Sequence, residues 1–505
     1  MKYTLGVDFG GTAVKGTLLS ETGNLAAVAS IEYPMFFPKD GWTEQDPEQL
    51  YKTFCSVVKD ITKTSGVNNE DIAAVAVSSA SMTGLYLDEE DRVVRRSIHW
   101  TDIRGTDSVE ELKKTKLNFI WEKTTNPPSP SRTLNHIIWL RDNEPENYKK
   151  IKKIMFVKDY IRYRLTGDFV TDYIDAMGSH FMDVPNNCWS DELCKMAGIN
   201  VDMLPKILNP SDIISSITEK AANESCLSRK TKVIVGTTDT CMEVYANGAI
   251  NIGDMTVKLA TAGRICSITD NHIPHIGIVN YKHVVPGLWY PGTGMRFCAA
   301  SYRWYRDVLG AKEIEDGKKS GKDPYDLLSV SAAKIPPGSE YLFFHPYLQG
   351  GAYNAAWKAS FTGLRAFHTK GHITRALLEG ISYAMKESFH IIQDLNLKID
   401  KPTLIGGGAK NPIWPQIIAD MFGIEMLIKE NSDSSLGSAM LAGVAIGIFS
   451  SFENSVVKCV RVTNSIKPNP EVTKIYEKGF LIYRDIIKAL DPIYTKIDQE
   501  ILRKQ

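Results

Sequence analysis

Four short stretches of the chain hold residue types that could handle phosphate. The first is LGVDFGGTAVKG, residues 5–16: an apolar run carrying Asp8 stops at Gly10, Gly11 and Thr12, then resumes. A phosphate loop of the usual kind leads from a strand into a helix. Here Val14, Thr17 and Leu18 favour a strand, Gly16 disfavours a helix, and SETGN ends the run as a turn. The segment therefore reads as a β-hairpin, Tyr3–Phe9 and Ala13–Ser20, with GGT at its tip. Glycines at such a tip let backbone N–H groups come close to a ligand. A carboxylate beside phosphate-binding amides makes sense when a cation lies between them. A plain hairpin with a surface Asp is the alternative.

The second stretch, NIGDMTVKLATAGRICSITDN at 251–271, repeats the pattern of strand, small-residue turn and strand. Two such hairpins predict two domains of similar topology, each opening on a hairpin. A nucleotide would lie in the cleft between them, with one tip reaching its phosphates from each side, as in actin, hexokinase and Hsp70-type ATPases. The third stretch is VIVGTTDT, in which Asp239 follows a strand and a glycine. That places a carboxylate at a strand end, where α/β proteins put their ligands; a turn Asp capping the following segment is the alternative. The fourth is PTLIGGGAKNPIWPQIIADMFG. Its strand ends at Gly406, Asn411 suits an N-cap and Pro412 the first helical position. Ile413, Ile417 and Met421 recur at helical spacing, and Gly423 closes the helix. Its glycines would admit a flat purine, or simply make a tight turn.

The elements that must carry these residues alternate. Strands are expected near Ile72–Ser78 and Lys232–Val235, with a helix-rich stretch over 107–165 in which ENYKKIKKIMFVKDYIRYRLTG alternates helical and strand-like pieces. Later come helices near 298–309 and 371–394, strands PTLI and EMLIK, a small-residue helix SSLGSAMLAGVAIG and an amphipathic helix near 470–489. EIEDGKKSGKDP, 313–324, reads as a solvated loop. Alternation of this kind argues for α/β layers. At 505 residues the chain should form more than one domain. Lys+Arg and Asp+Glu both total 59, so overall charge gives no sign of a nucleic-acid or acidic-membrane partner. The eight cysteines show no metal-ligand spacing, and no apolar run reaches membrane length. These features suggest a cytoplasmic protein.

Taken in order, the motifs resemble the FGGY carbohydrate kinases, and within them the xylulokinases, over nearly the whole chain. GVDFGGTAVK is similar to the first phosphate motif, GWTEQDP (41–47) to an early segment, and HWTDIRG (99–105) to a Trp-x-Asp-x-Arg motif. FVKDYIRYRLTGDFVTDYIDA (156–176), GTTDT (236–240), PYLQG (346–350), FTGL (361–364) and GGGAKN (406–411) follow in family order. The resemblance implies two ribonuclease H-like α/β domains of the actin/hexokinase type with a cleft between them. Residues 1–245 would hold the sugar site, first phosphate hairpin and catalytic Asp; residues 246–505 would hold the second hairpin and the adenosine site.

The resemblance also implies roles. Asp239 would take the proton from the sugar hydroxyl, touch the substrate and, with Asp8, serve Mg2+. Gly10, Gly11, Thr12 and Lys15 would meet ATP phosphates from one side and Thr261 from the other; Lys15 could face either the cleft or solvent. Ala260 stands where relatives carry a glycine, which weakens close backbone approach at that second tip. Ala299 and Arg303 would contact the nucleotide, and Gly407, Gly408, Ala409 and Asn411 would flank adenosine. Trp100, Asp102 and Arg104 would line the sugar, unless Asp102 and Arg104 form an ion pair. Xylulokinases carry Met-His at the sugar; gapless spacing puts Ser81 and Met82 there, so a thioether replaces a His donor.

The implied activity is transfer of the ATP γ-phosphate to a hydroxyl of a small carbohydrate, foremost a ketopentose such as D-xylulose, giving xylulose 5-phosphate. L-xylulose, ribulose, gluconate, a polyol, or a non-catalytic sugar-sensing role remain alternatives. Sugar and ATP are the implied partners, with no nucleic acid or membrane, and a homodimer stays open.

Overall fold

A computed structural model describes residues 1–351, 354–430 and 433–502. The chain divides into two compact units, and neither is continuous in sequence. One comprises Met1–Ile250, Asp270–Tyr290 and Asn431–Arg461; the other comprises Asn251–Thr269, Pro291–Glu430 and Val462–Gln505. The expected division near 245 follows sequence order; these units follow contacts, so the segments 270–290 and 431–461 belong with the N-terminal residues.

The first unit is built on a six-stranded sheet. Its first hairpin is Tyr3–Phe9 and Ala13–Ser20, the bounds expected from sequence, with Leu25–Glu32 antiparallel beyond it. On the other side of Tyr3–Phe9 lie Ile72–Ser79 and then Lys232–Ile234, both parallel to their neighbours, with Ile213–Ser216 antiparallel at the edge. Strand alternation assigns the faces. Leu5, Val7 and Phe9 pack in one core with Phe54, Val57, Val58 and Ile61 of the helix Pro47–Ser65. That helix starts at the end of GWTEQDP: Asp46 accepts from Glu48 N at 3.0 Å and Pro47 takes the first position.

The opposite face carries Thr4, Gly6 and Asp8, and against it lies the helix Ser434–Ala445. Thr4 Oγ1 donates to the Ala439 carbonyl at 2.8 Å. A Cβ on Gly6 would stand 1.9 Å from the Ser435 carbonyl oxygen. Glycine is therefore required here by close approach, and the small residues of this helix serve the same end: a Cβ on Gly437 would meet the Met242 carbonyl at 2.1 Å.

The second unit repeats the topology. Asp254–Leu259 pairs antiparallel with Gly263–Ser267, which pairs with Gly292–Met295; on the other side come Lys401–Ile405 and Met426–Lys429, both parallel, and Val462–Ile466, antiparallel. Position for position this is the strand order and direction of the first sheet. Its helix Lys370–Asp394 is mostly buried. Two expectations need correction. Residues 311–320 form a helix rather than a loop, because Lys319 pairs with Glu315 one turn away and Gly321 closes the helix with a left-handed φ of 69°. The C-terminal helix runs from Pro470 to Leu502, well past 489. No helix among the described residues is long and apolar enough to cross a membrane.

Candidate active site

In the first unit, three neighbouring strands end together and each brings a polar group. Asp8 is paired with Ser78 in the strand register, and Ser78 Oγ donates to Asp8 Oδ1 at 2.6 Å. Ser438 Oγ donates in turn to Ser78 Oγ at 3.0 Å. Ser79 bridges to Thr238 beyond the end of Lys232–Ile234, so Asp239 emerges from the same sheet edge. Asp239 opens the helix Asp239–Ala246, and its Oδ1 accepts from Thr240 N at 2.6 Å and Thr240 Oγ1 at 3.2 Å. Burial first, then the charge of Asp239, raise the Asp8 carboxyl well above the ordinary carboxylate range. Ser78 opposes this, while Asp433 and Glu243 add to it.

The hairpin tip is open. Gly10 N donates to the Ala13 carbonyl at 3.0 Å, and the Tyr33 hydroxyl donates to the Gly10 carbonyl, so Gly10 is spent on holding the turn. Gln45 Nε2 donates to Tyr33 at 2.7 Å and steadies it. Gly11 and Thr12 are exposed, and a Cβ on Gly11 would find no atom within 4 Å. Protein packing therefore does not explain Gly11, whereas it does explain Gly6. Lys15, opposite Asp8 in the register, turns to Asp433: Nζ lies 2.8 Å from Oδ2, with the two side chains 39% and 34% exposed. Asp433 caps the helix Ser434–Ala445, accepting from Ser435 N and Leu436 N. Burial works to raise the Asp433 carboxyl, but Lys15 and these donors outweigh it and hold the group below its usual range.

Among the residues expected at the sugar, Ser81 and Met82 stand just past the strand Ile72–Ser79. Ser81 Oγ and Met82 N both donate to Asp175 Oδ1, at 3.0 and 3.1 Å. These bonds hold Met82 in a left-handed conformation, φ 70°. Asp175 belongs to a fully buried cluster: Lys158 Nζ lies 2.6 Å from Asp159, 2.8 Å from Asp172 and 3.1 Å from Asp175, and Arg162 pairs with Asp159. Burial pushes the Asp175 carboxyl up to about 6 against the pull of Lys158, with Asp172 and Asp159 adding to the rise. Arg132 and Tyr281 complete the surroundings. Arg132 Nη1 lies 3.1 Å from Met82 Sδ and 2.9 Å from the Tyr281 hydroxyl.

The expectation that Asp102 accepts sugar hydroxyls does not fit this structure. Asp102 is fully buried, and both oxygens are taken by Arg104 and the Thr43 N–H, at 2.6 to 2.9 Å. Arg104 also bonds Glu44 at 2.9 Å and lies over the Trp42 and Trp139 rings, at 4.0 and 4.9 Å. The ion-pair alternative is what is present. Trp100 remains accessible, at 37% exposure.

The second unit positions the nucleotide candidates. Thr261 is exposed at its hairpin tip, and the tip carbonyls of Ala260 and Thr261 accept from Ala299 N and Cys298 N, at 2.8 and 2.9 Å. The tip thus caps the helix Ala299–Leu309, on which Arg303 is exposed. Gly407 has open space where a Cβ would stand, but Gly406 and Gly408 would clash with Leu259. The helix after them starts at Trp414, not Pro412. Asn411 Oδ1 accepts from Ile413 N and Trp414 N at 3.1 Å where the chain enters it, while its amide donates to Ser329 at 2.8 Å.

Asp175, Arg132, Tyr281, Tyr33 and Asp433 were missed as site neighbours. Asp175 lies in the polar run DFVTDYIDA, whose burial the sequence does not show.

Two sheets of one order, each opening on a hairpin with an exposed tip, define the ribonuclease H-like, actin- and hexokinase-type architecture. Residues 3–245 match the N-terminal domain, and 266–446 the C-terminal domain, of the FGGY family of carbohydrate kinases. The chain is 30% identical to the xylulose kinase of Lactococcus lactis subsp. lactis, over 98% of each chain. It is 29% identical to the gluconokinase of Bacillus subtilis, over 98% of this chain and 97% of that one. The crystal structure of ligand-bound xylulose kinase from Lactobacillus acidophilus matches with a TM-score of 0.90 at 26% identity, over 98% of this chain and 100% of that one. The chain belongs to the FGGY family of carbohydrate kinases.

Proposed function

We propose that this carbohydrate kinase transfers the γ-phosphate of ATP to a hydroxyl of a small open-chain sugar, with D-xylulose the first substrate. The observation that carries the reading is the set of strand ends that brings Asp8, Ser78 and Asp239 together beside an open Gly11–Thr12 tip. Asp239 accepts the proton of the sugar hydroxyl as its oxygen bonds to the γ-phosphorus and the bond to the β-bridging oxygen breaks, releasing ADP. Phosphoryl transfer asks for a positioned nucleophile and charge stabilisation rather than covalent work, so one carboxylate base suffices. Gly11 and Thr12 offer backbone N–H groups and a hydroxyl to the phosphates.

Asp8 and Asp239 fit a hydrated Mg2+. Burial first, and then the charge of Asp239, raises Asp8, and a cation near both carboxylates would relieve the repulsion between them. Among the described residues no three His, Cys, Asp or Glu side chains gather as a metal cage, and Mg2+ commonly takes few protein carboxylates and keeps its waters. When bound, it would offset charge on the transferring phosphoryl group. Thr261, Ala299, Arg303, Gly407, Ala409 and Asn411 remain the candidates for the rest of the nucleotide.

A second reading, a sugar acid such as gluconate, is favoured by Met82 in place of a His donor and by the guanidinium beside it. A coupled ADP-release screen over D-xylulose, L-xylulose, ribulose, gluconate and polyols separates the two. Turnover on D-xylulose at least tenfold above gluconate supports the first; the reverse order supports the second; ADP release independent of any sugar would count against both.

A further inference from the structure

Asp239 follows a short irregular link, residues 236–238, between the strand Lys232–Ile234 and the helix Asp239–Ala246. Where that link lies decides where the carboxylate lies, because among the described residues the Asp239 side chain bonds only Thr240. Gly236 takes a left-handed φ of 66°, and a Cβ there would stand 2.2 Å from the Val77 carbonyl oxygen, so the link is pressed against the strand Ile72–Ser79. Thr238 reaches the Tyr290 hydroxyl only at 3.5 Å. Thr237 holds more firmly: its Oγ1 donates to Asp172 Oδ1 at 2.7 Å, and both residues are fully buried.

Asp172 is itself fixed. Lys158 Nζ lies 2.8 Å from its Oδ2, and its Oδ1 also accepts from Ile174 N and Asp175 N, at 2.9 and 3.2 Å. Lys158 N donates to Ser79 Oγ at 3.3 Å, one residue past the Ser78 that holds Asp8. The anchor of Asp239 is thus bonded beside the anchor of Asp8. A buried ion cluster is weak evidence for stability, since apolar replacements often serve as well. This one has a hydroxyl bonded to it that belongs to a residue two positions before Asp239.

We propose that Thr237 is a positioning residue for Asp239, carrying the fixed place of the Lys158–Asp172 pair to the carboxylate that takes the proton of the sugar hydroxyl. The inference rests on the reading of Asp239 as the base. The bond is charge-assisted, since the hydroxyl donates to a carboxylate that an ammonium holds. Without it the link keeps its backbone bonds but loses its short side-chain tether, and a reacting group displaced by about 1 Å can cost about a hundredfold in rate. Thr237 touches no substrate in this role, so its loss falls on turnover rather than on binding.

The test is steady-state kinetics of wild type, Thr237→Val, Thr237→Ser, Asp239→Asn and the double variant Thr237→Val/Asp239→Asn. The sugar is the one that wild type turns over fastest in the ADP-release screen, with ATP varied separately. Val keeps the shape and removes the hydroxyl; Ser keeps the hydroxyl. Thr237→Val should lower kcat about tenfold or more, with both KM values within about threefold and Thr237→Ser keeping at least about a third of wild-type kcat. In the Asp239→Asn background Thr237→Val should change kcat by less than about twofold, because no base is left to position. Thermal melting checks folding. Should Thr237→Val not fold, Thr237→Ala is measured in its place in both backgrounds; if neither folds, the bond is structural and the proposal falls. A folded Thr237→Val with wild-type kcat, while Asp239→Asn loses about a hundredfold, overturns this proposal alone. So does an equal loss in both backgrounds, a loss carried by KM, or no rescue by Ser. A wild type that phosphorylates none of the sugars, or an Asp239→Asn that keeps its kcat, overturns the reading of Asp239 and this proposal with it.

Discussion

Asp239 and Asp175 are both carboxylates near the same sheet edge, but their surroundings assign them different work. Among the described residues the Asp239 side chain is bonded only to its neighbour Thr240, through Oδ1, so its other oxygen can meet a substrate. Replacing it with Asn keeps the shape and removes the base. Asp239→Asn should lower kcat by two orders of magnitude or more, while the KM for ATP stays close to wild type. A variant keeping over about a tenth of wild-type kcat would contradict the role. Asp175 instead faces inward, to Lys158, Asp172 and Asp159, and outward only to Ser81 and Met82 N. Its carboxyl is raised to about 6, above its unfolded value, so the native state holds this proton more tightly than the unfolded chain does. The resulting stability is full at low pH and is lost as pH rises through about 6. Asp175→Asn cannot titrate. The melting temperature of wild type relative to this variant should therefore fall between pH 4.5 and 7, and a difference flat across that range (on the order of RT or less) would show that Asp175 is not held protonated.

The first hairpin shows how much of an element a sequence can display. Its two strands and its tip were readable because β-formers, a turn and three small residues fall in consecutive order. Which glycine serves packing and which serves a ligand was not readable, since that depends on a helix more than 400 residues away in the chain, Ser434–Ala445. Gly6→Ala would drive a Cβ into backbone atoms of that helix, 1.9 Å from Ser435 O and 2.3 Å from Ala439 N, neither of which can swing aside. It should cost about 3 kcal/mol or more and lower the melting temperature by several degrees. Gly11→Ala meets nothing within 4 Å. Melting should be unchanged, and the KM for ATP should rise several-fold if the tip lies against phosphate. Equal melting of the two variants would refute the packing argument. An unchanged ATP KM for Gly11→Ala would refute the phosphate role. The same dependence on distant contacts hid the fate of Asp102: WTDIR reads equally well as a sugar acceptor or an ion pair, and only burial under Thr43 and Arg104 decides it.

At the scale of the whole chain, the duplicated topology was legible from two hairpins, because each sheet begins at its own hairpin and grows outward in the same order. The discontinuity of the units was not. SSLGSAMLAGVAIG reads as a buried helix of whatever it lies next to, and nothing local says that this is the first sheet. The structure makes it one wall of the first unit: Leu436, Ala439, Met440, Leu441 and Ala442 are at most 2% exposed, and Ala442 shares a core with Ala74, Ala76 and Ile234. Asp433 and Ser435 also supply the polar partners of Lys15 and Thr17. Burying a Leu or Met side chain contributes about 1.5–3 kcal/mol, so losing this helix would remove an amount comparable to the typical total stability of a domain, about 5–15 kcal/mol. A chain ending at Ile250 would expose the small-residue face of its central strands and leave Thr4 and Thr17 without their partners. Such a fragment should show little cooperative melting by circular dichroism and should bind a hydrophobic dye. Adding residues 431–461 through a flexible linker should restore a cooperative transition, because it returns the missing wall. If fragment 1–250 alone melts as sharply as the full chain, the helix is an ornament on a self-sufficient domain and the contact-based division of the molecule is wrong.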